Sequence, residues 1–255
     1  MISVVIPAYN AQDSISNAIQ SILDQTRVVH EIIVVNDGST DSTEEVVKQY
    51  QTDNGVDIKL INQANAGPSV ARNHGVQLAI GKWIAFLDAD DIWEKDKIEK
   101  QMILLESHPE YALSGTLVEF SKVNKTRPFE KIRFSELLVK NRVFTSTVVI
   151  DREVLLRVGG FREDMKYSED YNLWLKVTKK NLVMVLNDRL VQYGGGKGVL
   201  SEIGLSSNMW EMQKGELKNF LEIYQLGYIS LGKYIALIVF SCTKFIRRKI
   251  LKFFK

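Results

Sequence analysis

The apolar positions change period along the chain, and each change marks an element. Ser3-Val4-Val5-Ile6, Glu31-Ile32-Ile33-Val34-Val35 and Ile58-Lys59-Leu60-Ile61 are short runs rich in β-branched residues, which predict strands. Between the first two, Ile15, Ala18, Ile19, Ile22 and Leu23 recur at three- and four-residue spacing, which predicts a helix over 13–23 with Ser14 as a candidate cap. The same reasoning gives helices over 42–51 and 69–80, and a fourth strand from Trp83 to Leu87. An order of βαβαβαβ with short connections predicts a parallel sheet.

Further along, the pattern predicts a helix over 91–107, a strand from Leu113 to Ser121 and a polar loop from Val123 to Glu130. Thr147 to Ile150 is strand-like, and a short helix from Val154 to Val158 is stopped by Gly159-Gly160. Residues 168–179 predict a helix with Tyr171, Leu173, Trp174 and Val177 as its apolar positions. Two strands are expected at Leu182–Leu186 and Leu190–Tyr193, followed by Gly194-Gly195-Gly196-Lys197-Gly198, which must be mobile or tightly turned. There is no internal repeat and no low-complexity linker.

Composition adds bounds. With 255 residues, 45% hydrophobic and 25% charged, the chain suits one large α/β domain or two small ones. Its single cysteine, Cys242, excludes an internal disulfide framework and fits a reducing compartment. Met1-Ile2-Ser3-Val4-Val5-Ile6 has no basic leader and meets Pro7 at once, so it predicts a first strand rather than a signal peptide.

Charge is distributed unevenly. After Glu222 there is no acidic residue but seven basic ones; removing them from the overall +2 leaves −5 on residues 1–222. The basic tail suggests a negatively charged partner surface. Ile229 to Phe240 is apolar, broken by Gly232 and Lys233, and too short to span a bilayer comfortably. As a helix, residues 244–255 put Ile246, Ile250, Leu251, Phe253 and Phe254 on one side. Lys244, Arg248, Lys249, Lys252 and Lys255 fall on the other, with Phe245 and Arg247 out of place. That pattern predicts a helix lying in an anionic membrane interface; a helix packed on the domain, or a dimer contact, is the plainer alternative. Nucleic acid is not an expected partner, because the apolar face would have no role on phosphate.

Five stretches carry candidate chemistry. Asp88-Ala89-Asp90-Asp91 follows an apolar strand, where carboxylates lack apolar cover and suit a hard divalent cation. The alternative is a cap, with Asp90 or Asp91 starting the next helix. Asp37, in Asn36-Asp37-Gly38-Ser39, could accept from a nucleobase N–H or a ribose hydroxyl, or shape an Asx-type turn. Arg72, in the first turn of a helix, is poorly explained as a helix stabiliser and would be explained by a diphosphate near that terminus; the alternative is a surface arginine. Glu169 and Asp170 open another helix, as a general base or as part of a cap with Ser168 at the N-cap. The glycine run lacks Walker A spacing, so Lys197 is either a phosphate-facing lid residue or part of a plain loop.

Together, Val5-Ile6-Pro7-Ala8-Tyr9-Asn10, Val35 to Asp41, Asn65-Ala66-Gly67 to Gly75, Asp88 to Asp91 and Ser168-Glu169-Asp170 resemble the family 2 inverting glycosyltransferases of GT-A fold, over roughly residues 1–210. The resemblance implies an α/β fold: a single Rossmann-like nucleotide-binding domain with a mostly parallel central sheet flanked by helices, plus a C-terminal amphipathic helical tail. The expected division is a glycosyltransferase domain over 1–220, with a nucleotide-binding half at 1–110 and an acceptor-binding half at 111–220, then a membrane-associating tail over 221–255.

It further implies a nucleotide-sugar donor, most often a UDP-hexose. Pro7, Ala8, Tyr9, Asn10 and Asp37 would hold the nucleoside, Gly67, Arg72, Asp88 and Ala89 would line the site, and Lys197 would stand where many relatives carry Arg or His. Asp90 would be the direct ligand of Mn²⁺ or Mg²⁺, with Asp88 on metal or ribose; Asp170 would be the catalytic base, with Glu169 as second choice. With the tail, it points to a polyprenyl-diphosphate-linked acceptor in bacterial O-antigen, capsule or exopolysaccharide assembly, at the cytoplasmic face of the membrane. A nucleotidyltransferase, a nucleotide-sugar hydrolase and a non-catalytic module of a polysaccharide complex are the rival readings.

Overall fold

Strands β1 (Ile2–Ala8) and β2 (Glu31–Asp37) are apolar on both faces, and the fold buries both. Val4, Ile6, Ile32 and Val34 enter one apolar cluster, while Val5, Ile33 and Val35 enter another on the opposite side. Alternating direction along a strand makes this possible, and helices on each face complete the cover. Helix α1 (Ile15–Leu23) brings Ile15 and Ile19 to the first cluster, and α2 (Thr43–Gln49) brings Val47. Helix α3 (Pro68–Leu78) packs on the second so closely that a Cβ at Gly75 would lie 2.5 Å from Val5 Cγ1.

The computed structural model describes residues 1–51, 55–123, 126–196 and 208–253. With β3 (Asp57–Gln63) and β4 (Trp83–Phe86), the first third gives the parallel order β3-β2-β1-β4. The rest of the chain continues the same sheet with a mixed pattern. It contributes β5 (Ile92–Trp93), α4 (Lys97–Ser107), β6 (Tyr111–Val118), β7 (Phe129–Ile132) and α5 (Phe134–Leu137). After them come β8 (Val149–Asp151), α6 (Arg152–Arg157), α7 (Glu169–Lys180), β9 (Leu182–Gln192), α8 (Met209–Gln225) and α9 (Leu231–Phe253). The full order is β3-β2-β1-β4-β8-β6-β9-β5, nine strands in all among the described residues, with β7 on β9. Strand β8 is antiparallel to both β4 and β6, so β6 and its parallel partner β9 point the same way as β1, β2 and β4. The carboxyl ends of these five strands share one edge.

Several elements differ from the pattern reading. Residues 91–107 divide into β5 and α4, because Ile92 and Trp93 pair with Gln192 and Val191 and delay the helix to Lys97. The alternative cap by Asp90 or Asp91 is therefore not made; Asp96 occupies the N-cap position. Phe129 to Ile132 is a strand where the end of a polar loop was expected, held by its pairing with β9. The two expected late strands are one, β9, which crosses the polar Asn187-Asp188 without a break. Gly194 to Gly196 lie in a 3₁₀ turn from Tyr193, while Lys197 and Gly198 lie outside the described residues.

The span expected as the tail, 221–255, holds the last turn of α8, a short connection and α9. α9 buries Leu237, Ser241 and Phe245 and leaves Leu231, Ile235, Val239, Ile246 and Ile250 exposed. Phe245, out of place on the predicted wheel, is an inward contact with its ring 5.4 Å from that of Trp210. Among the described residues, no helix is long and apolar enough to cross a membrane. Phe254 and Lys255 lie outside them.

Candidate active site

Every predicted site residue within the described chain sits at or near the carboxyl edge of the sheet, where open α/β sheets take their ligands. After β1, Asn10 adopts a left-handed conformation (φ +48°), which Asn tolerates better than most residues. That geometry lets its Oδ1 accept from Thr40 N–H at 2.8 Å while its own N–H donates to Ser39 Oγ at 3.0 Å. The loops after β1 and β2 are thereby locked together. Ala8 is buried, Pro7 half-buried, and Tyr9 stands open to solvent.

Asp37 is almost fully enclosed. Its carboxylate accepts from Gln63 Nε2 (2.8 Å) and from the backbone N–H groups of Ala66 (2.9 Å) and Gly67 (2.8 Å). Three donors on one carboxylate fix the loop that leads into α3, and Gly67 meets that demand with φ +93°. The Asx-type turn weighed for Asp37 belongs to Asn36, whose Oδ1 accepts from Ser39 N–H.

Arg72 is drawn inward. Only 5% exposed, it donates to Asp88 Oδ1 at 2.7 Å and to Glu169 Oε1 at 3.0 Å, and it lies over the Phe161 ring at 5.1 Å. Burial alone would favour the neutral guanidine, but Asp88 and Glu169 more than offset it and raise the group above its ordinary range. Its Nε is buried without a partner. The helix-terminal arginine that the sequence assigned to a diphosphate thus bridges two carboxylates, one after β4 and one at the start of α7. The two carboxylates explain its place near a helix N-terminus without a bound diphosphate.

The acidic cluster divides its labour. Asp88 is half-buried, with its backbone N–H held by Ser146 Oγ at 3.0 Å. Asp90 is exposed. Asp91 is buried: one oxygen accepts from Gly194 N–H at 2.6 Å and the other has no hydrogen-bond partner. Burial, then the charge of Asp88, push the Asp91 carboxyl up to about 8.

Across the Arg72 bridge lies Asp170. Ser168 is left-handed (φ +58°) and makes no side-chain cap, contrary to the capping alternative; its hydroxyl donates to Met212 O instead. Asn219 Nδ2 on α8 holds Ser168 O at 2.9 Å. This sharp entry leaves Asp170 half-buried, accepting from Tyr171 N–H at 2.6 Å and Asn141 Nδ2 at 3.3 Å. Burial, then the neighbouring Glu169 charge, push its carboxyl up to about 7. Glu169 is already engaged by Arg72.

Tyr193, just past β9, registers the charges of Asp88, Asp91, Asp170 and Asp90, which add to burial in raising its phenol well above the usual range. Pattern reading missed Tyr193, Ser146, Asn141 and Phe161 as site residues. Their partners are distant in sequence, and none stands in a local motif. His74 bonds Gln63 at 2.8 Å, and His108 joins a ring cluster with Tyr111 and Phe129.

Residues 3–163 match Glycosyl transferase family 2, well over half of the chain. The chain belongs to this family. It is 31% identical over 237 residues to the putative teichuronic acid biosynthesis glycosyltransferase TuaG of Bacillus subtilis (strain 168), covering 90% of each chain. It is 33% identical over 245 residues to WfgD of Escherichia coli, a UDP-Glc:alpha-D-GlcNAc-diphosphoundecaprenol beta-1,3-glucosyltransferase, covering 91% of this chain and 93% of WfgD. The fold matches the mannosyltransferase PcManGT from Pyrobaculum calidifontis, solved with GDP-Man and Mn²⁺, at a TM-score of 0.70 and 19% identity. That match covers 88% of this chain and 64% of PcManGT. The protein is thus a family 2 glycosyltransferase with the GT-A fold, similar to bacterial enzymes of surface-polysaccharide synthesis.

A divalent cation fits the residues present. No group of three or more His, Cys, Asp or Glu among the described residues is arranged to hold an ion alone. Small hard cations are commonly held by one or two carboxylates, with substrate phosphates and water completing the shell. Exposed Asp90 beside half-buried Asp88 supplies that number of oxygens.

Proposed function

We propose that this enzyme is an inverting transferase that moves a hexose from a UDP-sugar to a hydroxyl of a polyprenyl-diphosphate-linked saccharide. The observation that carries the reading is Asp170, half-buried and raised toward neutral pH, tied through Glu169 and Arg72 to Asp88. A carboxylate with that ionisation can accept a proton from an attacking hydroxyl near pH 7. Glu169 contributes the charge that raises Asp170 and is itself occupied by Arg72, which favours Asp170 as the base.

The two sides of the reaction then follow. The loops after β1 and β2, with Asp37 bracing Ala66 and Gly67, form a rigid ledge for the nucleotide, with Tyr9 open beside it. Asp90 and Asp88 would hold Mn²⁺ or Mg²⁺, which supplies positive charge to the leaving diphosphate. Arg72 holds the Asp88 side chain in place. Asp170 orients and deprotonates the acceptor hydroxyl for one in-line attack, so an α-linked donor gives a β-linked product.

The acceptor class draws on WfgD's substrate and on α9, whose exposed apolar side and basic C-terminal half suit an anionic bilayer surface. We place the enzyme on the cytoplasmic face of the membrane. The test is transfer from a panel of UDP-hexoses to a GlcNAc-α-diphosphate lipid with Mn²⁺, with product mass and anomeric configuration read out. Expected is a β-linked disaccharide lipid, with Asp170→Asn retaining UDP affinity and losing transfer by roughly a hundredfold or more. Normal transfer by that variant sinks the base assignment, and release of free hexose alone would leave a nucleotide-sugar hydrolase. Ile246→Glu with Ile250→Glu should release the protein from anionic vesicles; undiminished binding refutes the role of α9.

A further inference from the structure

Three aromatic rings meet beside the aspartates. Phe120 and Phe144 have ring centroids 6.3 Å apart, Phe120 and Tyr193 6.3 Å, and Phe144 and Tyr193 6.2 Å, all edge-to-face. Phe144 is half-buried against the core and Tyr193 is half-buried beside the carboxylates. Phe120 is the outer member and 44% exposed. A lone exposed phenylalanine needs no explanation, but an exposed ring completing a cluster at an active-site edge does.

The backbone that carries Phe120 is held firmly. Glu119 N–H donates to Val191 O at 3.2 Å, Ser121 N–H to Val118 O at 2.9 Å, and Arg189 Nε to Ser121 O at 2.8 Å. The ring is therefore presented from a fixed turn rather than from a loose loop. Topology sets its side of the site. Phe120 follows β6 and Tyr193 follows β9, while the nucleotide ledge follows β1 and β2; in the sheet order β4 and its aspartates stand between the two groups. The rings thus lie on the far side of the aspartates from the ledge, and Tyr193 is near enough to Asp170 to register its charge.

We propose that Phe120, with Phe144 and Tyr193 behind it, is a stacking platform for the sugar ring of the acceptor. A pyranose has one face of C–H bonds that suits an aromatic face, while its hydroxyls stay free for polar partners. Stacking there would orient the acceptor against Asp170 without a charged contact. The inference rests on reading the Asp170 side as the acceptor side of a glycosyltransferase.

Ligand-observed NMR tests it directly, using short-alkyl diphosphates of a panel of hexoses and N-acetylhexosamines, with UDP and Mn²⁺ present. For wild type, saturation transfer to the sugar C–H protons of at least one probe is expected. Phe120→Ala should weaken that probe by about tenfold, Phe120→Trp should stay within about threefold of wild type, and UDP affinity should be unchanged in both. The proposal is overturned if Phe120→Ala binds the saccharide as wild type does, or if no saccharide binds wild type. It is also overturned if the alkyl diphosphate without a sugar loses as much affinity, since the ring would then contact lipid. Saccharide binding that depends on Phe120, without transfer from any UDP-hexose, would retain the platform and reject the UDP-hexose donor.

Discussion

Replacing Arg72 with Met removes the one cation between Asp88 and Glu169 while keeping an unbranched side chain over Phe161. Taking one partner from a buried ion pair costs about 3–5 kcal/mol, because the other is left charged and desolvated. Two features place this case at the lower end. The Asp88 side chain is 27% exposed, so water recovers part of its loss, whereas Glu169 at 11% recovers little. The unpartnered Nε already makes the wild-type bridge less than ideal. A cost of about 3 kcal/mol follows, which for a chain of this length lowers the midpoint by roughly 6–12 °C. Circular dichroism during urea and thermal unfolding at neutral pH measures it. Adding Glu169→Gln to Arg72→Met removes one stranded charge, and the double variant should regain about 1 kcal/mol over the single. Arg72→Met within about 1 kcal/mol of wild type, or a double variant no better than the single, would refute the bridge as a structural element.

Other consequences are open to measurement. If Asp170 is the base, kcat should climb as pH rises through about 7, where its carboxyl ionises, and level off above; a flat profile from about pH 5 to 9 would remove it from that role. Lys97 is fully buried, donates to Gln101 Oε1 at 2.7 Å and sits 3.9 Å from the Trp93 ring centroid, and burial lowers its amine well below the ordinary 10.5. Between that lowered folded value and 10.5 the unfolded chain binds the extra proton, so stability rises with pH by up to about 1.4 kcal/mol per unit. Lys97→Met should lose this slope relative to wild type, and an identical slope in both would show that Lys97 is charged in the fold.

Much of the architecture was legible because it is written locally. The β-branched runs of β1 and β2 and the helical spacing in α1 depend on neighbours within a few residues, as does the placing of Asp37, Asp88 and Asp170 at element ends. What escaped the pattern depends on distant partners. Trp93 becomes a strand residue only because Val191 pairs with it, and Phe129 to Ile132 only because β9 lies beside them. Arg72 was singled out for lacking a local reason, and its reasons lie at Asp88 and Glu169, the latter 97 residues away. The aromatic cluster joins residues 120, 144 and 193 from three separate loops, so no window of sequence could contain it.

The continuous sheet also constrains how enzymes of this build can diversify. Strand β4 pairs with β8, β5 with β9, and Arg72 needs Glu169, so the two halves of the chain share backbone ladders and a buried charge. Grafting the second half from a relative would break these joints at once, exposing the edge of β4 and stranding Arg72. Recombination of halves is therefore a poor route to a new sugar linkage. Change is channelled instead into positions just past β6 and β9, such as Phe120 and Tyr193, where a single substitution alters what the site presents and leaves the scaffold untouched.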